Sequence, residues 1–252
     1  MSSNNKIVVA FDLYGTLLST ESISHELAKI LPDSEGAVAK EVATLWRRYQ
    51  LEYTWRINSM GEYRSFSEIT RASLLHAVAE CCSQEQQQQL SASGIDQLMK
   101  AYDALHVFPE VPEALRALAF HDDIDAYVFS NGTTDMVRNS VMSSPDLGPH
   151  SASFKGLITV DDGPKVFKPD RRTYEHLLAE TKAGKDDNVW VVSANPFDAV
   201  GAVHAGLKSA WIDRAGKGWV DRLGDVIGGV RPTVVVKGVD EAVAAIIKSS
   251  SS

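Results

Sequence analysis

Cysteine is nearly absent: there are two in 252 residues, and they are adjacent, Cys81 and Cys82. Neighbouring cysteines give neither a disulfide framework nor a metal-ligand spacing, and a reducing compartment fits best. Positive charge is in deficit too, with 25 Lys and Arg against 33 Asp and Glu, a formal net charge of −8. With no long basic stretch, nucleic acid and an anionic membrane are excluded as bulk partners. An anionic small molecule in a locally positive pocket is not. No apolar run is long enough to span a bilayer, and the start shows no signal-peptide pattern. The expectation is a soluble, cytoplasmic protein. Internal repeats are lacking, as is a Gly-x-Ser-x-Gly nucleophile elbow. The seven His stand outside every motif described below and read as structural or surface residues.

What is present begins with a core. A chain of this length at 44% hydrophobic residues can bury one large domain or two small ones. Ile7-Val8-Val9-Ala10-Phe11 is a short continuous apolar run, the pattern of a strand buried on both faces of a parallel sheet. It stops on Asp12, followed by Leu13-Tyr14-Gly15-Thr16. In such sheets chemistry gathers beyond the carboxyl ends of the strands. A carboxylate there, followed by a Gly that permits a tight turn, is either a positioned nucleophile or a cap for the turn.

From about Ser19 to His106 helical periodicity dominates. Val38, Val42, Leu45, Tyr49 and Tyr53 form one helix face, and Arg47, Leu51 and Trp55 another. A helix apolar on two faces is sandwiched between layers, and an Arg among inward residues needs a carboxylate or other anion; its alternative is a surface ion pair. Gln84–Gln89 reads as a solvated helix end or loop. Strands then return at Ile124–Phe129, Leu157–Val160, Val189–Val192, Ser209–Ile212 and Thr233–Val236. Helices are expected from Pro112 to His121 and at Arg171–Thr181, Asp198–Ala205 and Glu241–Ile247, with a disordered tail at Ser249–Ser252. The fold class is therefore α/β, a doubly wound parallel sheet. Its core comprises residues 1–18 and 108–252, interrupted by a helical cap at 19–107.

Two more strands end on polar groups: one on Ser130-Asn131-Gly132-Thr133, another on Ser193-Ala194-Asn195 with Asp198 just beyond. Each alone is an ordinary turn or helix cap. Three such endings in one parallel sheet point into one crevice. Lys168, before Pro169-Asp170 at a helix start, is either a cation for that crevice or a surface lysine.

Asp12-Leu13-Tyr14-Gly15-Thr16, Ser130-Asn131-Gly132, Lys168-Pro169-Asp170 and Ser193-Ala194-Asn195-Pro196-Phe197-Asp198 resemble, in order, the four motifs of the haloacid dehalogenase superfamily. Leu45-Trp46-Arg47-Arg48-Tyr49-Gln50-Leu51-Glu52-Tyr53-Thr54-Trp55 resembles a stretch typical of type II (S)-2-haloacid dehalogenases. The resemblance spans about residues 6 to 214. It implies a Rossmann-like core and the hydrolysis of short (S)-2-haloalkanoic acids to (R)-2-hydroxy acids through an ester on Asp12. It assigns Arg47 to the halide and Ser130, with backbone N–H groups after Asp12, to the substrate carboxylate. Lys168 would keep Asp12 ionised; Thr16, Ser193, Asn195 and Tyr174 would orient the site. Asp198 would position or deprotonate water. Leu13, Tyr14, Leu51, Phe66, Asn131 and Phe197 would surround the substrate. Arg48 and Phe197 depart from the family's usual Gln and Trp, which bears on which acids fit. A homodimer is also implied.

The competing readings are a Mg²⁺-dependent phosphatase with a degenerate site and a non-catalytic binding protein. Phosphoryl transfer in this superfamily needs a carboxylate two residues after the nucleophile and acidic metal ligands at the fourth motif. Tyr14, Ser193 and Asn195 occupy those positions, so no metal and no cofactor are expected.

Overall fold

The computed structural model describes residues 6–31, 36–184 and 188–250. The chain runs β1 (Ile7–Phe11), α1 (Ser22–Ile30), α2 (Ala37–Ser59), α3 (Phe66–Cys81), α4 (Gln84–Gln89) and α5 (Ala92–Ala101). It continues α6 (Val111–Leu118), β2 (Ile124–Ser130), α7 (Thr134–Arg138), β3 (Gly156–Thr159), α8 (Arg171–Thr181) and β4 (Asn188–Ser193). It closes with α9 (Pro196–His204), β5 (Lys208–Ile212), α10 (Leu223–Val226), β6 (Val234–Val236) and α11 (Val239–Ser250). All six strands are parallel, in the order β3-β2-β1-β4-β5-β6. That is a doubly wound sheet of the dinucleotide-fold order, with ligand space at the carboxyl ends of its strands.

Every residue of β1 is buried, because helices cover both faces of the sheet. Its side chains divide by period two. Ile7, Val9 and Phe11 join one core cluster, with α6, α11 and the helices of the insertion. Val8 and Ala10 join the other, with Tyr174 and Leu177 of α8 and Ala202 of α9.

Among the described residues, 19–107 contain helices and no named strand. The segment leaves and rejoins the core at one place: Ser19 N donates to His106 O (2.8 Å) and Phe108 N to Leu17 O (3.1 Å). Among described residues no helix is long and apolar enough to cross a membrane.

Two expectations need correction. The predicted stripe of α2 is only half-buried outside Val42; the fully buried line is Val42, Trp46, Gln50 and Thr54. Polar groups can lie there because α3 supplies partners: Thr70 O accepts from Trp46 Nε1, and Thr70 Oγ1 from Gln50 Nε2, both at 2.7 Å. Of the two readings of Gln84–Gln89, the solvated helical one holds: it is a short helix with a Ser83–Gln86 capping box and no buried side chain. The supposed tail is helical through Ser250, and residues 251–252 lie outside the described residues.

Candidate active site

The register of the sheet assembles the site. Phe11 pairs with Val128 on one side and Val192 on the other. Asp12 thus emerges between the ends of β2 and β4, with Ser130 and Ser193 beside it. Gly15 turns the chain at φ +85°, where a β-carbon is disfavoured. The turn brings Thr16 back onto the carboxylate. Thr16 Oγ1 donates to Asp12 Oδ2 at 2.8 Å and accepts from Ala194 N at 3.0 Å. Asn195 Nδ2 donates to the same Oδ2 at 2.7 Å. Ser193 Oγ, fully buried, accepts from Asn195 N at 3.1 Å and fixes that residue's backbone.

Lys168 arrives from the far side and is 1% exposed. Its Nζ donates to Asp198 Oδ2 (2.9 Å), Phe129 O (2.8 Å) and Asp12 Oδ1 (3.3 Å), using all three of its protons. Asn131 Oδ1 accepts from the Lys168 backbone N at 2.9 Å. A buried ammonium between two carboxylates is tolerated because the remaining acceptors are also satisfied. Asp198, fully buried, accepts at Oδ1 from the Tyr174 hydroxyl (2.9 Å). Burial raises the Asp198 pKa above its ordinary value; Lys168 opposes that and the charge of Asp12 adds to it. Burial, then Asp198, holds the Tyr174 phenol well above its usual range.

In front of Asp12 lies a tight crevice, walled by Tyr14, Arg47, Leu51, Phe66, Ser130, Asn131, Asn195 and Phe197. Tyr14 stacks on Phe66 at 6.2 Å between ring centroids. Arg47 enters from α2, its Nη2 donating to Tyr14 O (3.1 Å) and its Nη1 to Gln50 Oε1 (2.6 Å). Ser130 Oγ accepts from Gly132 N at 3.1 Å.

Two expected residues stand elsewhere. Arg48 is exposed on α2 and does not line the crevice. Successive helical residues are rotated by about 100°, so turning Arg47 inward turns Arg48 away. The Leu13 side chain is buried in the core, while its carbonyl closes the turn by accepting from Leu17 and Leu18 N, both at 3.0 Å. Thr16, Lys168, Tyr174, Ser193 and Asp198 lie behind Asp12 and not in the crevice wall. Among the described residues no cluster of three or more His, Cys, Asp or Glu side chains is placed to hold a metal ion.

Comparison with known families matches residues 8–206 to the haloacid dehalogenase-like hydrolases. The chain belongs to that family. This hydrolase is 35% identical over 208 residues to (S)-2-haloacid dehalogenase H-109 of Pseudomonas putida, covering 82% of this chain and 86% of that one. It is 35% identical over 217 residues to haloacetate dehalogenase H-2 of a Moraxella species, covering 86% and 89%. Among solved structures, an L-2-haloacid dehalogenase superposes with a TM-score of 0.80 at 25% identity, covering 96% of this chain and 99% of that one.

Sequence reasoning about this family member missed three residues that brace the site. Gln50 anchors Arg47, and its spacing of three on one helix was the available signal. Asn58, at the end of α2, clasps the Phe167 backbone: Nδ2 donates to Phe167 O (2.7 Å) and Oδ1 accepts from Phe167 N (3.0 Å). Arg214 donates to Gly15 O (3.2 Å) and Thr16 O (2.7 Å) and pairs with Glu110 at 2.6 Å. Neither has a local sequence signal, since each partner lies about a hundred residues or more away.

Proposed function

We propose that this hydrolase removes halide from short (S)-2-haloalkanoic acids, giving (R)-2-hydroxy acids without a metal. One observation carries the reading: a carboxylate held by Thr16, Asn195 and Lys168 faces a tight crevice whose cation is Arg47 and whose apolar walls are Tyr14, Leu51, Phe66 and Phe197. Residues 19–107 act as the cap that closes it.

Asp12 Oδ2 accepts two short hydrogen bonds, whereas Oδ1 accepts from Lys168 Nζ at a longer 3.3 Å. We take Oδ1 as the attacking oxygen. It forms a bond to C2 while the carbon–halogen bond breaks behind it, and the electron pair leaves with the halide towards Arg47. Configuration at C2 inverts. Water kept out by Tyr14, Leu51, Phe66 and Phe197 cannot solvate the nucleophile, which keeps it reactive. Ser130 and Asn131 face the substrate carboxylate.

In the ester, Oδ2 is the carbonyl oxygen. Thr16 and Asn195 then donate to the negative charge that develops on it when water attacks Cγ, as in an oxyanion hole. Asp198, with its raised proton affinity and a spare lone pair on each oxygen, takes the water's proton. Collapse expels the hydroxy acid oxygen, which recovers that proton. Asp12 returns to carboxylate as its remaining proton passes to solvent. Tyr14 two residues after Asp12, with Ser193 and Asn195 in place of acidic residues at the fourth motif, leaves Asp198 as the one carboxylate beside Asp12, which supports metal-independent chemistry.

The test is halide release from each enantiomer of 2-chloropropionate in EDTA, with a single turnover in ¹⁸O-water. Chloride from the S enantiomer alone, D-lactate as product and label in Asp12 support the reading. Label appearing directly in lactate during the first turnover refutes the ester.

A further inference from the structure

Phe197 belongs to two spaces at once. It walls the tight crevice in front of Asp12, and it also walls a surface cleft of about 480 Å³. The apolar groups of that cleft are Trp55, Pro169, Leu223 and Phe197 itself. Its polar residues already have partners: Asn58 is turned onto the Phe167 backbone, Asp170 is held by Arg172 (2.7 Å), and Asp221 accepts from Leu223 N (2.7 Å). Apolar surface is thus left to face the space.

Leu51 and Trp55 are four residues apart on α2, hence on one face of the helix. Trp55 meets Phe197 edge-on at 5.4 Å between centroids and 72° between planes. Leu51, Phe197, Trp55 and Leu223 form an apolar line from the crevice to the surface, where Trp55 is 39% and Leu223 49% exposed. If the carboxylate of a 2-haloacid sits towards Ser130 and its halogen towards Arg47, the third substituent on C2 is directed at Leu51 and Phe197. The crevice itself is too small for a long substituent. Phe197 is half-buried and is the residue common to the walls of the crevice and the outer cleft.

We propose that the cleft outside Phe197 is a subsite for the alkyl chain of 2-haloacids longer than propionate. The inference rests on the dehalogenase reading above and extends its substrate class. Each methylene drawn from water onto this apolar line raises kcat/KM about two- to fourfold.

The experiment compares kcat/KM for bromide release along the series (S)-2-bromopropionate to (S)-2-bromooctanoate, in the unaltered enzyme and in Trp55→Ala and Leu223→Asp. The expected result is a rise with chain length that both variants flatten. Their values for (S)-2-bromopropionate stay within about twofold, as for ordinary surface substitutions. Leu223 is the exposed first residue of the short helix α10, so its variant decides the matter if Trp55→Ala fails to fold. A steady fall with chain length, or variants that lower every substrate in equal proportion, overturns the subsite while bromide release keeps the dehalogenase reading standing. No bromide from any of the acids overturns that reading and the subsite with it.

Discussion

Gln50 and Arg47 form one unit: the amide oxygen of Gln50 accepts from the Arg47 guanidinium at 2.6 Å, and the Gln50 side chain is fully buried. Its other end donates to Thr70 Oγ1 (2.7 Å), which in turn donates to Phe66 O (2.6 Å). A chain of hydrogen bonds therefore couples the crevice cation to the residue that forms its aromatic wall. Tyr102, wholly buried beside this chain, has its phenol pushed up to about 12 by desolvation, with Arg47 and then Gln50 opposing.

Replacing Gln50 by Leu leaves one guanidinium N–H and the Thr70 hydroxyl without that partner. Leaving buried polar groups unsatisfied costs about 1–3 kcal/mol of stability. We expect a urea midpoint lowered accordingly, and a fall in kcat/KM for halide release. Gln50→Glu, which keeps the acceptor, retains more activity than Gln50→Leu; equal activity in the two would separate Gln50 from Arg47.

Gly201 on α9 has no room for a methyl group. A β-carbon there would meet the Tyr174 hydroxyl oxygen and lie 2.6 Å from Pro169 Cβ. Gly201→Ala is expected to destabilise the fold by about 1–3 kcal/mol, the range for overpacking. It also displaces the hydroxyl that holds Asp198, so kcat falls more than KM changes. A thermal melt with steady-state halide release checks both.

Tyr174→Phe removes a donor that lowers the Asp198 pKa, so that pKa, already raised by burial, rises further. In the proposed mechanism Asp198 takes the water's proton and must be ionised to do so, so the acidic limb of the kcat profile is expected to move to higher pH. Stability runs the other way. A carboxyl with a folded pKa above its unfolded value of about 3.9 favours the folded state below that value and loses the contribution as pH rises through the folded pKa. In the variant that loss extends to higher pH. An unmoved acidic limb would remove Asp198 from the hydrolytic step.

Asn58→Ala deletes both hydrogen bonds to the Phe167 backbone, next to Lys168. At about 1 kcal/mol for each bond, the loop before Lys168 loosens without global unfolding. Hydrogen exchange should show faster amide exchange at Phe167, while β1 stays protected.

Sequence alone determined the strands and the order of the chemistry along the chain. Buried parallel strands must be apolar on both faces, so Ile7–Phe11 and Val189–Val192 announce themselves, and so do the polar residues at which they stop. Helix positions near the site were legible from period, but their orientation was not. Periodicity put Leu45 and Tyr49 on one face of α2, whereas packing against α3 fully buried Trp46 and Gln50 between the two expected faces and sent Arg48 to solvent. The tertiary structure alone decided which groups meet. Lys168 reaches Asp12 across 156 residues, and Asp198 finds both oxygens engaged by Lys168 and Tyr174 behind the crevice. The physical reason is that apolar burial leaves a repeating local pattern in the chain, while a buried charge is specified by partners that only the folded packing brings within 3 Å or so.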